Sequence, residues 1–219
     1  MANYKQDIAG DYPDLDADLR FYDPEIRMIN SDEDIITHLL KAVGEDPKRE
    51  GLLETPKRVM KAWKHWCGGY GQDPAAILKT FEDGAEGCDE MIIVSNVPIY
   101  SKCEHHAADI FGLAHIGYIP NGRIVGLSKL ARVADIFSRR LQVQERLTTQ
   151  IAEALQENLK PLGVGVILQC RHMCMESRGI QSRGTITTTS SLRGVMKDKS
   201  ETRSEFFKLV AEARNGLPI

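Results

Sequence analysis

Apolar and polar positions recur along this chain in two periods, and the switches between them outline its elements. In SDEDIITHLLKAV, the residues Ile35, Ile36, Leu39, Leu40 and Val43 fall on one helical stripe, with Ser31 in front as an N-cap. Thr55 and Pro56 open a second predicted helix carrying Val59, Met60, Trp63 and Cys67, closed by Gly68 and Gly69. From Met91 the period changes: MIIVSNVPIY and FGLAHIGYI alternate as strands do. A helix from Ser128 through Phe137 follows, then a longer amphipathic one in VQERLTTQIAEALQENL. GVGVILQCRHMCM and GTITTTSSLRGVM return to the Val, Ile and Thr of strands, and SETRSEFFKLVAEA makes a last helix.

This order predicts an α+β fold. Residues 1–30, rich in Asp and broken by Pro13 and Pro24, read as an acidic, loosely ordered arm. Residues 31–90 read as an N-terminal helical region and 91–219 as the catalytic domain.

Composition narrows the partners. With 42% hydrophobic and 27% charged residues among 219, the chain can bury a real core. A net charge of −3 makes no general trap for polyanions, so no nucleic-acid partner is expected and any phosphate site must be a local cluster of Lys and Arg. No apolar run reaches the roughly eighteen residues of a membrane span. The opening MANYKQDIAGDYPDLDADLRFYD lacks the apolar segment of a secretory signal, so the 5 cysteines are expected as thiols in the cytoplasm.

The chemistry concentrates in two clusters, CEHH at 103–106 and HMC at 172–174. Thiolate and imidazole together favour Zn²⁺, and three protein ligands would leave a fourth tetrahedral position for water. Cys103 is one candidate ligand and Cys174 another, but spacing does not choose the histidine. A straight strand would align Cys103 with His105, and a turn would align it with His106. On an extended segment His172 and Cys174 would share a face, so one can hold metal while the other moves protons. Thiols close enough to share an ion are also close enough to oxidise to a Cys103–Cys174 disulfide. Cys67 reads as core on its helix stripe, Cys88 has no assigned part, and His38, His65 and His115 read as packing or surface residues.

The charges are less specific. GLSKLAR sets Ser128, Lys129 and Arg132 at a helix start, where backbone N–H groups favour an anion, though the same pattern suits a solvated helix face. Arg58 and Lys61 lie one turn apart on the second helix. Glu145 and Arg146 fit a surface pair, and a desolvated Glu145 would equally accept two N–H bonds from a guanine edge.

CEHH, HIGYIPNGRIVGLSKLARVADIFSRRLQVQERLT, HMCMESRGIQ and TTTSSLRGV, taken together and in this order, resemble the GTP cyclohydrolase I family over about residues 31–213. The resemblance implies conversion of GTP and water to 7,8-dihydroneopterin triphosphate and formate, the opening reaction of folate, pterin or deazapurine biosynthesis. It implies Zn²⁺ on Cys103, His106 and Cys174, with His105 and His172 as acid–base groups and Ser128 beside them at the ribose. Glu145 would take the guanine edge with Gln144 and Leu127 close by. Lys129, Arg132 and Arg178 would face the triphosphate, joined by Arg58 and Lys61 from a neighbouring subunit. It further implies the tunnelling fold, antiparallel strand pairs and helix pairs closing into a barrel across subunits, and a homodecamer of two pentamers.

Four positions depart from the family pattern. Ala107 follows CEHH in place of a larger apolar residue, Cys170 and Arg171 add a thiol and a cation before His172, and Arg193 replaces a small or apolar residue. Two rival readings fit part of the pattern. A zinc-stabilised binding protein would take Cys170 as a fourth ligand and leave His105 without work. A related enzyme acting on a pterin or deazaguanine would leave the five cations without a triphosphate.

Overall fold

The computed structural model describes residues 31–83 and 85–214, so the expected arm over 1–30 lies outside the described residues. They form two compact units, one ending at Trp63 and one beginning at Lys64. That division falls inside the stretch read as a single helical region.

The first unit holds helix α1 (Asp32–Ala42) and most of α2 (Thr55–Trp66). Ser31 caps α1 as expected, accepting from Asp34 N–H at 3.3 Å while Asp34 Oδ2 accepts from Ser31 N–H at 2.9 Å. Of the predicted stripe only Ile36 is buried, and Ile35, Leu39 and Val43 are exposed. Helix α2 stops at Trp66, before the predicted Gly68–Gly69 closure, because the chain tightens into a 3₁₀ turn over Gly68–Gly71. Cys67 therefore caps that turn and is not on the helix stripe.

The second unit continues with a short α3 (Pro74–Ile77), β1 (Thr80–Phe81), β2 (Ile92–Cys103), β3 (Asp109–Ile119), β4 (Ile124–Val125) and α4 (Leu127–Ser138). Then come β5 (Leu141–Gln142), α5 (Gln144–Leu159), β6 (Gly163–His172), a one-turn α6 (Met173–Glu176), β7 (Thr187–Gly194), α7 (Val195–Asp198) and α8 (Ser200–Arg214). Five strands form one sheet in the order β5-β2-β3-β6-β7; the β2-β3, β3-β6 and β6-β7 pairs are antiparallel and β5 runs parallel to β2. Strands β1 and β4 make a separate two-stranded pair. The α+β order read from the pattern holds, with β2 and β3 longer than predicted at their site-facing ends and β6 shorter.

Alternation decides which face each residue serves. Ile110, Ala114, Ile116 and Tyr118 of β3 and Val164, Val166, Leu168 and Cys170 of β6 face one way. They pack against Leu130, Val133, Ala134 and Phe137 of α4 and Leu147, Ile151 and Leu155 of α5. Cys170 is part of this core, and burial pushes its thiol up to about 12. On the other face Phe206 and Val210 of α8 and Met196 of α7 cover Ile167. Gly117 and Gly165 stand opposite each other on β3 and β6, and the ring of Phe206 rests on the flat patch they leave.

A methyl added at Gly165 would meet Phe206 Cε1 at 2.7 Å and Met196 Sδ at 2.9 Å. Gly165→Ala is expected to lower stability by about 1–3 kcal/mol through overpacking, and Phe206→Ala by about 3–5 kcal/mol through cavity formation. Denaturant unfolding measures both, and a Gly165→Ala protein as stable as the parent would show that α8 is not seated on that patch.

Candidate active site

The reactive residues sit where β2 and β6 end. Beyond Cys103 the chain doubles back at once, Cys103 N–H donating to Ala108 O and Ala107 N–H to Cys103 O, each at 2.8 Å. This turn sets Ala107 at φ 56°, in the left-handed region, where a β-branched side chain would be strained and the small Ala107 is tolerated. The turn also gathers imidazoles around one sulfur: His106 Nδ1 is 3.8 Å and His105 Nδ1 4.0 Å from Cys103 Sγ.

The segment 163–175, read as one extended strand, is not one. The β6 ladder stops at His172, paired with Ile110, one residue short of the start of β3 at Asp109. The chain then takes the helical turn α6, so Cys174 reaches the cluster from a helix and does not share a strand face with His172 and Cys170. Among the described residues, Cys103, His106 and Cys174 bring one ligand atom each to within 4.8 Å of one another. An ion about 2.3 Å from sulfur and about 2.0 Å from nitrogen holds tetrahedral ligand atoms roughly 3.5–3.8 Å apart. The observed 3.8 Å between Cys103 Sγ and His106 Nδ1 is about 0.3 Å wider than the sulfur–nitrogen spacing, about 3.5 Å, of such a site. Both thiols are free. Burial, and next the neighbouring Cys103, hold the Cys174 thiol above its ordinary value; a bound cation would reverse this by favouring thiolate.

These groups open into a cavity of about 180 Å³ lined by Cys103, His105, His106, Gln144, Glu145, His172 and Cys174, with Ile110 and Val143 as its apolar wall. A cavity of about 450 Å³ lies beyond Ile110, walled by Trp66, Tyr100, Lys102 and Phe111 among others. Its charges are paired, Lys102 with Asp109 and Arg139 with Asp135, whereas the thiols of Cys103 and Cys174 and three imidazoles line the smaller cavity.

Gln144 is buried at the start of α5 and holds His172. Its Nε2 lies 3.2 Å from Leu168 O, 2.9 Å from Thr187 O and 3.0 Å from Thr189 Oγ1. Main-chain carbonyls only accept, so the amide nitrogen must face them and Oε1 must face His172 Nε2, at 2.7 Å. His172 Nε2 therefore carries a proton, and Nδ1 is the basic nitrogen of the neutral ring. Burial lowers the His172 pKa, with Glu145 pulling less strongly the other way, so the ring is uncharged at neutral pH.

Sequence reading missed the bracing of the metal turn. Arg146 does not pair with Glu145 but with Glu104, and its Nε also donates to Gln142 Oε1 at 3.2 Å. Arg146 holds the Glu104 carboxyl below its ordinary value. Gln142 Nε2 in turn donates to Phe137 O at 2.9 Å and Gln150 Oε1 at 2.8 Å, tying the turn to α4 and α5. No motif marks partners so distant in sequence.

The predicted residues divide into groups. The cavity gathers Cys103, His105, His106, Gln144, Glu145, His172 and Cys174. Leu127, Ser128, Lys129 and Arg132 lie on the first turns of α4 and do not line it. At about 1.5 Å per residue, the 12 residues of α4 carry that end far from the Ser138 end, which leads through β5 to Gln144. Arg178 is exposed just past α6, where its charge acts on Cys174. Arg58 and Lys61 are exposed on α2, in the first unit. Arg193 joins β7 to α5, its guanidinium 3.1 Å from Glu153 Oε1.

The sequence matches the GTP cyclohydrolase I family over residues 32–211. It is 60% identical over 178 residues to the GTP cyclohydrolase 1 of Janthinobacterium sp. (strain Marseille), covering 81% of this chain and 88% of that protein. It is likewise 60% identical over 171 residues to that of Nitrosospira multiformis, covering 78% and 90%. The GTP cyclohydrolase 1 of Chlorobaculum tepidum is 49% identical over 189 residues, covering 86% and 84%.

Replacing Gln144 by Met should remove the acceptor that selects the His172 tautomer, turning one dominant Nε2–H form into a mixture. Long-range ¹H–¹⁵N spectra of histidine-labelled protein read this directly. An unchanged Nε2–H signature would mean that another group sets the tautomer.

Proposed function

The chain belongs to the GTP cyclohydrolase I family, and from that premise we propose that it is a zinc enzyme converting GTP and water to 7,8-dihydroneopterin triphosphate and formate. GTP is the substrate of the family. The observation that carries the reading is one cavity holding a Cys–His–Cys ligand set beside two further imidazoles. A closed structural metal site would have no use for His105 and His172 there.

Cys103, His106 and Cys174 would hold the ion, leaving one tetrahedral position open. Bound zinc supplies Lewis acidity, bringing hydrolysis within reach of neutral pH. His172, neutral and oriented by Gln144, would first take up a proton from water at its free Nδ1 and then hand it to the ring nitrogen of the purine imidazole, making C8 more electrophilic. His105, on the same turn as the ligands, is the second proton carrier for ring opening and formate release. Glu145 takes the guanine N1–H and 2-amino group, a pair of donors that a carboxylate accepts and that adenine does not offer.

Leu127 and Ser128 would meet the ribose, and Lys129, Arg132 and Arg178 the triphosphate, with Arg58 and Lys61 joining them. A triphosphate carries about four negative charges, so a cluster of charge-assisted hydrogen bonds is needed to hold it. Because Leu127, Ser128, Lys129 and Arg132 lie outside the cavity of their own chain, we assign them to a neighbouring copy's site. Sheet edges support the same assembly: β7 has no outer partner among the described strands, and β5 pairs with β2 only at Lys102 and Cys103. So do the exposed Ile35, Leu39 and Val43 of α1. A tunnelling-fold barrel closed between subunits, in a decamer of two pentamers, would use these features. No described helix is long and apolar enough to cross a membrane, and we place the enzyme in the cytoplasm, at the start of folate, pterin or deazapurine synthesis.

Zinc-loaded protein given GTP should release formate and a pterin that fluoresces after oxidation, and Cys174→Ala should release neither. Tight GTP binding by loaded protein without either product would favour a binding protein. Mixed and reassembled subunits test the shared site. Cys174→Ala and Arg132→Ala, each inactive alone, should regain part of the activity together, and no recovery in verified mixed oligomers would place both halves in one chain.

A further inference from the structure

The loop over 177–186, between α6 and β7, carries Arg178 and follows directly on the turn that carries Cys174. It is irregular, with Gly179, Gln181 and Gly184 all left-handed. Backbone bonds tie it down at Ser177 N–H to Met173 O and Ser182 N–H to Met175 O, both 2.9 Å. Two side chains add further ties to α6: Ser177 Oγ donates to Met173 O at 2.6 Å, and Glu176 reaches farther along the loop. Glu176, its side chain only 6% exposed, accepts from Gly184 N–H at 3.1 Å through Oε2.

The same carboxylate is gripped from the other side by Arg171. Nε of Arg171 donates to Oε1 at 2.8 Å and a terminal nitrogen donates to Oε2, the two-pronged arrangement in which guanidinium best fixes a carboxylate. Arg171 is itself held. It stands opposite Phe111 on the β3-β6 ladder with its guanidinium 5.4 Å from that ring, on the sheet face away from Cys170. A rigid strand end, a buried carboxylate and a loop amide thus form one chain of contacts spanning both Cys174 and Arg178.

We propose that the Arg171–Glu176 ion pair is a positioning clasp for the reaction: it holds α6 and the following loop so that Cys174 stays on Cys103 and His106, and Arg178 stays at the anionic end of the substrate. The proposal rests on the zinc-dependent GTP hydrolysis argued above. Neither residue touches substrate or metal; they act through Cys174 and Arg178. Without Arg171, Glu176 is left as a buried carboxylate with one amide donor, which favours swinging out to water and carrying the turn with it.

The test uses full-length Arg171→Ala, Arg171→Lys, Glu176→Ala and the double alanine variant, with Arg193→Ala as a control that breaks the Arg193–Glu153 pair on the same sheet. Zn²⁺ affinity is measured alone, by competition with a chromophoric chelator, and kcat and KM for GTP are measured at saturating zinc. Arg171→Ala and Glu176→Ala should each weaken zinc by about 10–100-fold, the usual effect of losing a partner that orients a metal ligand. Each should raise KM for GTP more than it lowers kcat. Arg171→Lys should fall between, and the double variant should be no worse than Glu176→Ala, because the two residues act as a unit. Arg193→Ala should match the parent in both. Parental zinc affinity and KM in Arg171→Ala, with only a lowered melting temperature, would overturn the clasp. If alanine variants fail to fold, Arg171→Lys decides by the same two readouts. A parent protein that makes no pterin would sink the enzymatic reading instead, leaving the zinc competition to judge the Cys174 half of the clasp.

Discussion

The register of β3 against its two neighbours is the constraint on which the site depends. Ser101 opposite Ile110 and Ile110 opposite His172 put the ends of β2 and β6 level on either side of β3, on the face that α4 and α5 cover. A slip of one residue would turn His172 to the far face and take it from Gln144. The register is pinned by apolar residues well away from the chemistry, from Ala114 to Tyr118 and from Val164 to Leu168, all within the core. At the far end the Gly117–Gly165 pair admits Phe206 only when the two glycines stand opposite each other. Burial in the sheet thus fixes the place where polar groups meet.

The fold was legible because each element carries its own period. Leu130, Val133, Ala134 and Phe137 mark α4, and the alternation from Ile110 to Tyr118 marks β3 without knowledge of any partner. Errors arose where a partner decides. Composition extends β6 through Met175, but the ladder ends at His172, where the chain turns into α6 and leaves Asp109 of β3 paired only with β2. Ile35 and Leu39 have the spacing of a buried stripe yet are exposed, since periodicity shows that a face is apolar and not what covers it.

The site was legible in its reactive atoms and not in what holds them. CEHH and HMC are visible because thiol and imidazole are rare together, and the turn brings His106 within 4.8 Å of both sulfurs while His105 stays beside Cys103. Gln144, Arg146 and Glu176 carry no such mark. Their roles come from partners such as Thr187, Glu104 and Gly184, which are near only after folding. Gln144 shows why this matters chemically. Two strand carbonyls fix which way its amide points, the amide fixes which imidazole nitrogen bears hydrogen, and backbone geometry thereby selects a proton position on His172.

Charge follows a complementary logic. Every described cation braced near the metal turn is already matched: Arg146 with Glu104, Lys102 with Asp109, Arg171 with Glu176. Such pairs hold geometry but leave little positive charge for a polyanionic substrate. Lys129 and Arg132 stand on the first half of α4, and its other end leads to Gln144, a separation set by the helix's own rise. One copy therefore concentrates thiols and imidazoles at one place and displays cations at another. Uniting them within a chain would require shortening the helix whose Leu130, Val133 and Phe137 build the core, whereas the association of copies proposed above would bring the two sets together without sacrificing the sheet that makes either.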